Sequence, residues 1–299
     1  MQNIKAQNFE ASQKFQSFLA PAKINLFLHI TGRRADGYHT LQSVFELLDY
    51  YDTLKLKPNK TGKIKRINSI AGVLEVEDLC TRAAVALQQA TGCKMGVEYT
   101  IEKRIPMGGG LGGGSSDAAS MLLALNQLWQ LNLSREKLMQ VGLNLGADVP
   151  VFVFGKNAWA EGVGEELTEI TLNPCYYVVL TPSIHVSTAQ IFANSTLTRD
   201  TKPLKIADFS RVSNSDTFRN DLEAVVCKEF PAVASAIKWL SSFESEISGK
   251  ARMSGSGASV FLAVNSKQEA DAIFAQKPTE VTGFVAKSLS RHPLFEFAA

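Results

Sequence analysis

Gly108-Gly109-Gly110-Leu111-Gly112-Gly113-Gly114-Ser115-Ser116 is the stretch on which the reading of this chain turns. Six of its nine residues are glycine, and each glycine inside a helix or strand costs roughly 0.5–1 kcal/mol relative to alanine. The stretch is therefore a loop with a purpose. Without Cβ atoms its backbone N–H groups can turn inward, and a helix opening near Ser116 adds the partial positive charge of its N-terminus. Together these make a cradle for an anion, phosphate above all. A plain flexible turn is the alternative, and the loop's position between an amphipathic strand and a good helix weighs against it.

Upstream, Val97, Tyr99 and Ile101 alternate as one face of a half-buried strand that ends at Pro106. Downstream, Met121, Leu122, Leu125, Leu128 and Trp129 trace the buried stripe of a helix. Gly108, Gly110 and Gly113 also satisfy the spacing of a dinucleotide-binding turn, but that turn follows a continuously apolar strand and has an acid about twenty residues further on. Here the strand carries Glu98, Thr100 and Glu102, and Leu131-Asn132 stands where the acid belongs. No Walker lysine follows the glycines, and the HRD and DFG landmarks of protein kinases are missing. The loop calls for a different ATP-binding architecture.

Before the loop, Ile24 to Ile30 alternates, with Ile24, Leu26, Leu28 and Ile30 on one face and Lys23, Asn25, Phe27 and His29 on the other. A turn at Asp36-Gly37 leads to a second strand from Tyr38 towards Leu47, and Thr53 to Lys57 reads as a third. Leu79, Ala83, Ala86, Leu87 and Ala90 predict a helix closed by Gly92. Ser134 is placed to cap a helix through Leu145, ended by Gly146 just ahead of Asp148. After Asn173-Pro174 come a strand at 176–180, helices around 222–230 and 233–243, a strand at 260–264, and a last helix and strand at 268–275 and 281–287. The chain thus reads as α+β, with an N-terminal domain over 1–172 and a C-terminal domain over 173–299. Residues 1–16 read as a flexible extension, with a capping role or an alternative start equally compatible.

The 299 residues, 45% of them hydrophobic, suffice for two modest cores. Basic residues number 31 against 29 acidic, so the net charge of +2 calls for neither a nucleic-acid nor a membrane partner. Cys80, Cys93, Cys175 and Cys227 stand far apart with no CxxC pair, which suits reduced thiols better than zinc or disulfides. No signal-peptide h-region or eighteen-residue apolar run is present, so a cytoplasmic protein is expected, a monomer or weak homodimer acting on a small molecule.

Three segments combine into a recognisable set: Pro21-Ala22-Lys23-Ile24-Asn25-Leu26, the loop from Pro106 and Met107 to Ser116, and Ser254-Gly255-Ser256-Gly257-Ala258-Ser259. They resemble the three motifs of the GHMP kinases, the superfamily of galactokinase, homoserine kinase, mevalonate kinase and phosphomevalonate kinase. Arg34 to Gln42, Leu145 to Phe152 and Ala160 to Glu165 narrow the resemblance to the branch that acts on 4-diphosphocytidyl-2-C-methyl-D-erythritol. It implies a ribosomal protein S5 domain 2-like N-terminal domain and a ferredoxin-like C-terminal domain, with the active site between them. It also implies ATP as donor, Mg²⁺, and phosphorylation of the acceptor's 2-hydroxyl in the non-mevalonate route to isoprenoids.

On that resemblance, Asp148 is the expected catalytic base and Lys23 the ammonium that orients it and neutralises developing charge. Asn25 shares the Lys23 strand face and is expected to bind the methylerythritol hydroxyls. Tyr38 and Phe192 would sandwich the cytosine ring, His39 would read its edge, and Thr188 would lie close by. Pro106 through Ser116, including Gly109, Leu111, Gly112 and Gly114, are expected at ATP, with Ser115 or Ser116 capping the helix, binding phosphate or meeting Mg²⁺. Asp117 either assists the metal or complements the helix N-terminus. Lys103 reads equally as a nucleotide contact or a solvated lysine. Gly255 and Gly257 would buttress the phosphate loop and substrate hydroxyls. One departure stands in Glu77-Asp78-Leu79-Cys80, which lacks the asparagine that relatives place between aspartate and leucine. The competing readings are a GHMP kinase for mevalonate, homoserine or a sugar, a regulatory protein on a kinase scaffold, and a dinucleotide oxidoreductase.

Overall fold

The protein is described here from a computed structural model covering residues 14–35, 37–211, 217–244 and 249–299. Most of the expected N-terminal extension, and Asp36 of the expected turn, lie outside these residues. The elements run β1 (Gln16–Arg33), β2 (His39–Asn59), β3 (Ile64–Arg66), α1 (Leu79–Thr91), β4 (Gly96–Glu102), α2 (Gly113–Leu128), α3 (Arg135–Leu143), α4 (Val149–Phe154), β5 (Ala158–Glu161) and β6 (Glu166–Glu169). They continue with β7 (Tyr176–Thr181), α5 (Thr188–Ala193), α6 (Ile206–Arg211), α7 (Glu223–Glu229), α8 (Pro231–Ser241), β8 (Arg252–Met253), β9 (Val260–Val264), α9 (Lys267–Ala275) and β10 (Thr282–Leu289).

The strands form one sheet in the order β3-β4-β2-β10-β7-β9-β8, with β1 and β5 also on β2 and β6 on β5. The pairings between these strands are antiparallel except β3 with β4, as the alternating patterns require. The two strands expected at 38–47 and 53–57 are one, β2. Asp49 to Asp52 reads as a polar break, yet Asp52 is buried and its carboxylate accepts from Arg104 N at 2.5 Å and Ile105 N at 2.8 Å, so the strand runs on.

β1 corrects a second expectation. Its register on β2 shifts between Asn25 and Leu28, and a bulge re-aims the side chains beyond it. Phe27, read as lying on the polar face, is fully buried among Trp159, Phe209 and Phe218. Both faces of the strand are covered.

α1, capped by Asp78 and closed by left-handed Gly92, follows its predicted span. α2 begins three residues earlier than read, at Gly113, so the last glycines belong to its first turn. Its side chains from Ser116 to Asn126 are all buried, which makes it the central helix, packed on α1, α4 and β1. Its core includes Leu54, Leu56, Tyr99, Leu122 and Phe152. A second core gathers Val178, Leu180, Val226, Val260 and Leu262.

Glu46 of β2 is buried opposite Ile24 of β1. Tyr177 of β7 donates to its Oε2, and its Oε1 has no partner. Burial raises the carboxyl from 4.5 to about 7, against the pull of the tyrosine hydrogen bond. A folded pKa above the unfolded one means that stability is full below about 4.5 and is lost as pH rises through about 7. Replacing Glu46 by Gln should therefore raise stability at pH 8 by up to about 3 kcal/mol and leave it nearly unchanged at pH 4.5. Urea unfolding at the two pH values checks this, and an equal shift at both would refute it.

Candidate active site

The alternation of β1 carries Lys23 and Asn25 to one place. Lys23 is 3% exposed, and its backbone N–H donates to Leu111 O at 3.0 Å, which ties the strand to the glycine loop. Its Nζ donates to Asn25 Oδ1 at 2.6 Å, lies 3.4 Å from Asp148 Oδ2, and stands over the Phe45 ring. Asn25 Nδ2 donates to Ser43 Oγ at 2.8 Å, and Ser43 Oγ to Phe27 O, so amide and ammonium have fixed directions. Asp148 occupies the N-cap position of α4 but makes no side-chain capping bond, and its side chain is 38% exposed. Turn capping therefore does not account for this carboxylate. A half-open carboxylate beside a buried ammonium is placed to accept a proton from a hydroxyl in the cavity.

The glycine loop lies against the Ser254–Ser259 turn. Ser254 Oγ donates to Gly110 O at 2.9 Å and accepts from Asn25 N at 3.1 Å, and Ser259 N donates to Gly109 O. Gly110 has φ +74°, and a Cβ there would stand 2.1 Å from Ser254 O. At Gly112, φ +71°, a Cβ would strike Phe152. These two positions require glycine. Leu111 between them is fully buried and anchors the loop, while Met107 is exposed.

Several residues expected at the nucleotide face elsewhere. Ser116 is buried, and its hydroxyl donates to Pro21 O at 2.6 Å, so it joins helix to strand and does not point into the cavity. Ser115 is half-buried in the first turn of α2. Lys103 is not solvated: it pairs with Asp52 and with Asp117 Oδ2, the latter at 2.6 Å. Burial alone would lower the Lys103 pKa, but the two carboxylates outweigh it and raise it. Burial raises that of Asp117, with Lys103 opposing. The triad braces the start of α2, because Lys103 Nζ lies beside Gly113, and it engages Asp117 Oδ2 while Oδ1 has no partner.

One cavity of about 860 Å³ joins these parts. Its walls include Lys23, Asn25, Asp148, Gly108, Gly110, Gly112 and Gly255 together with Tyr38, His39, Thr188 and Phe192. The His39 and Phe192 rings are 5.2 Å apart and tilted by 37°, and Tyr38, on the same cavity, is 67% exposed. Thr188 and Ser256 share a 2.7 Å hydroxyl contact. Gly257 lies behind the wall, its N–H donating to Ser254 O, and so shapes the turn from outside the cavity.

The family descriptions "GHMP kinases N terminal domain" and "GHMP kinases C terminal" match residues 78–156 and 203–277. The 4-diphosphocytidyl-2-C-methyl-D-erythritol kinase of Burkholderia ambifaria is 53% identical over 296 residues, covering 97% of this chain and 99% of that one. The chain belongs to the 4-diphosphocytidyl-2-C-methyl-D-erythritol kinase family of the GHMP kinases. The kinase of that name from Cupriavidus metallidurans is also 53% identical, covering 93% and 94%. A crystal structure of a 4-(cytidine 5'-diphospho)-2C-methyl-D-erythritol kinase superposes with a TM-score of 0.76 at 31% identity, covering 91% and 99%. Mevalonate kinase of Methanococcus jannaschii, at 15% identity, shares the fold with a TM-score of 0.64. The GHMP kinase fold and an ATP-dependent kinase follow from this membership.

Within this GHMP kinase, three contacts escape sequence reading. Arg199 Nε donates to His39 Nε2 at 3.1 Å, and its Nη2 donates to both Phe192 O and Asn194 O. Burial, then Arg199 and Arg33, lower the His39 pKa, so the ring is neutral with its acceptor nitrogen on Arg199. Ser254 links both strand and loop, and Asn220 Nδ2 donates to Gly255 O at 2.7 Å. These partners come from remote segments and leave no local pattern. At the Glu77-Asp78-Leu79 departure, Asp78 caps α1 through Cys80 N and pairs with Arg66 at 2.8 Å, so this aspartate is held in the fold. No described residues group into a metal cluster of histidine, cysteine and carboxylate, and no helix among them is long and apolar enough to cross a membrane.

Proposed function

We propose that this chain transfers the γ-phosphoryl group of ATP to the 2-hydroxyl of 4-diphosphocytidyl-2-C-methyl-D-erythritol, releasing ADP, in the non-mevalonate route to isoprenoids. The observation that carries this reading is that the Lys23–Asp148 pair, glycines of the loop and the His39–Phe192 pair line one cavity. Asp148 takes the proton as the hydroxyl oxygen forms its bond to the γ-phosphorus and the bond to ADP breaks. Lys23 orients Asp148 and neutralises charge on the transferring group. Asn25 orients the acceptor's hydroxyls, and Gly108 to Ser115 place the phosphates with their N–H groups. His39 offers the cytosine edge one donor, Nδ1–H, while Phe192 stacks on the base with Tyr38 at the rim and Thr188 nearby. Mg²⁺ would be held mainly by the ATP phosphates, with Ser115 as the candidate side-chain ligand, and would neutralise charge on the transferring group.

Residues 1–172 then form the ATP-binding half and 173–299 the half that completes the acceptor site. The enzyme works in the cytoplasm as a monomer or weak homodimer. ADP release from Mg-ATP, measured with this acceptor beside mevalonate, homoserine and galactose, tests the reading: selective release with the cytidylyl substrate is expected, and release with another acceptor would overturn the pocket. Replacing Arg199 by Gln should raise the acceptor KM by roughly 10-fold or more, the worth of a charge-assisted hydrogen bond, with the ATP KM unchanged in steady-state assays. Equal loss for both substrates would refute the positioning role.

A further inference from the structure

Between its cytidine and its methylerythritol the proposed acceptor carries a diphosphate, a group whose negative charge calls for a cation on the cavity wall. Among the described residues that wall holds one carboxylate, Asp148, with one lysine, Lys23, and one arginine, Arg33. Lys23 is taken up by Asp148 and Asn25. Of the two histidines on the wall, His39 is neutral with its acceptor nitrogen on Arg199. His185 lies against the phosphate loop, where a Cβ on Gly108 would stand 2.9 Å from its Nδ1. Arg33 remains. Its Nε donates to Gly37 O at a long 3.4 Å, and among the described residues neither terminal nitrogen has a partner and no carboxylate pairs with the guanidinium.

The sheet fixes where this arginine stands. Arg33 ends β1, His39 opens β2, and the two are register partners across the antiparallel pair. Partners of this kind send their side chains to one face of the sheet, with Cβ atoms about 4.5–5.5 Å apart, and both side chains line the cavity. The Arg33 charge is felt at the neighbouring ring, where it helps to lower the His39 pKa. A cytosine read by His39 therefore has the Arg33 guanidinium beside it, and the 5′-phosphates begin one ribose away from that base. A planar guanidinium can pair with two phosphate oxygens at once. We propose that Arg33 binds the diphosphate of the acceptor and makes the site select a cytidine 5′-diphosphate ester over the bare nucleoside. The inference rests on the cytidylyl reading of the cavity given above. Charge is then divided between two phosphate groups: Lys23 serves the one that is transferred, and Arg33 serves the pair that does not react and supplies binding energy remote from the chemistry.

The test is calorimetry on the full chain with cytidine and with cytidine 5′-diphosphate, the nucleotide site being filled by a non-hydrolysable ATP analogue. The parent is expected to bind the diphosphate more tightly than the nucleoside, and Arg33→Gln to cut that preference by about tenfold or more, the worth of a charge-assisted hydrogen bond. Arg33 is exposed, so the variant should fold, and unchanged cytidine affinity in it shows an intact base pocket. Arg33→Lys, which keeps the charge and loses the fork, should retain part of the preference. In steady-state assays Arg33→Gln should raise the acceptor KM with kcat and the ATP KM unchanged, as loss of uniform binding requires. An undiminished preference for the diphosphate, or an equal loss for both ligands, would overturn the proposal, the latter by assigning Arg33 to the base or to the turn at Gly37. If the parent binds neither ligand, the cytidylyl reading itself falls, and this inference with it.

Discussion

Changing Asp148 to Asn is expected to lower kcat by roughly 10²–10⁴-fold, the range for loss of a positioned general base. The substitution is nearly isosteric, and Asp148 makes no capping bond whose loss would loosen α4. Thermal stability and ATP affinity should therefore stay close to those of the parent, which separates chemistry from folding. Asn can still accept from Lys23 but cannot take the proton of the acceptor hydroxyl. Steady-state turnover beside ATP binding by calorimetry decides the matter. Near-normal kcat would remove Asp148 from the mechanism, and loss of nucleotide binding would assign it to the ATP site.

The second large effect is expected at Gly110. Alanine there must adopt a left-handed conformation, costing about 1–2 kcal/mol, and must push its Cβ away from a carbonyl only 2.1 Å distant, Ser254 O. Overpacking of that kind adds about 1–3 kcal/mol. The loop and the Ser254 turn would part, and with them the bond from Ser254 Oγ to Gly110 O that holds the phosphate loop beside Lys23. Destabilisation by about 2–5 kcal/mol and loss of ATP binding are expected. Gly114 is the control: it lies in the first turn of α2, and a Cβ there would meet Leu79 Cδ1 at an ordinary 3.5 Å. Gly114→Ala should be neutral or stabilising by up to about 1 kcal/mol. Equal unfolding free energies for the two variants would show that the glycines are interchangeable.

How much of this was legible in the sequence depends on where the information lies. α1, β4 and β9 carry their own period and turn residues, and each appears close to its predicted span. β5, β6 and β8 have four, four and two residues, too few for an alternation to show, and exist because a longer neighbour offers them an edge. The α4 sequence, Val149-Pro150-Val151-Phe152-Val153-Phe154, is apolar on every side and has no period to read. Phe27 was misassigned because a bulge breaks the alternation, and a bulge is a property of the pair rather than of one strand. In the site, motif chemistry found the cavity lining at Lys23, Asn25, Asp148 and the glycines. It missed the ion pairs of Lys103 and the Ser116 bond to strand β1, whose partners Asp52, Asp117 and Pro21 come from separate segments and are visible only after folding.

β2 is 21 residues long, and along it lie β1, β4 and β5 and, through Ser288↔Leu48 and Leu289↔Leu47, the last strand of the chain. Mechanically it is a continuous girder and not a pair of plates on a pin. Lys23 and Asn25 are mounted on the strand bonded to this girder, and the Ser254 turn is fastened to the same mounting. Bending this girder along its length would have to strain the backbone hydrogen bonds to β1, β4 and β5. Lys23 and Asn25 are thus clamped, through hydrogen bonds of the girder and its attached turn, to one bed.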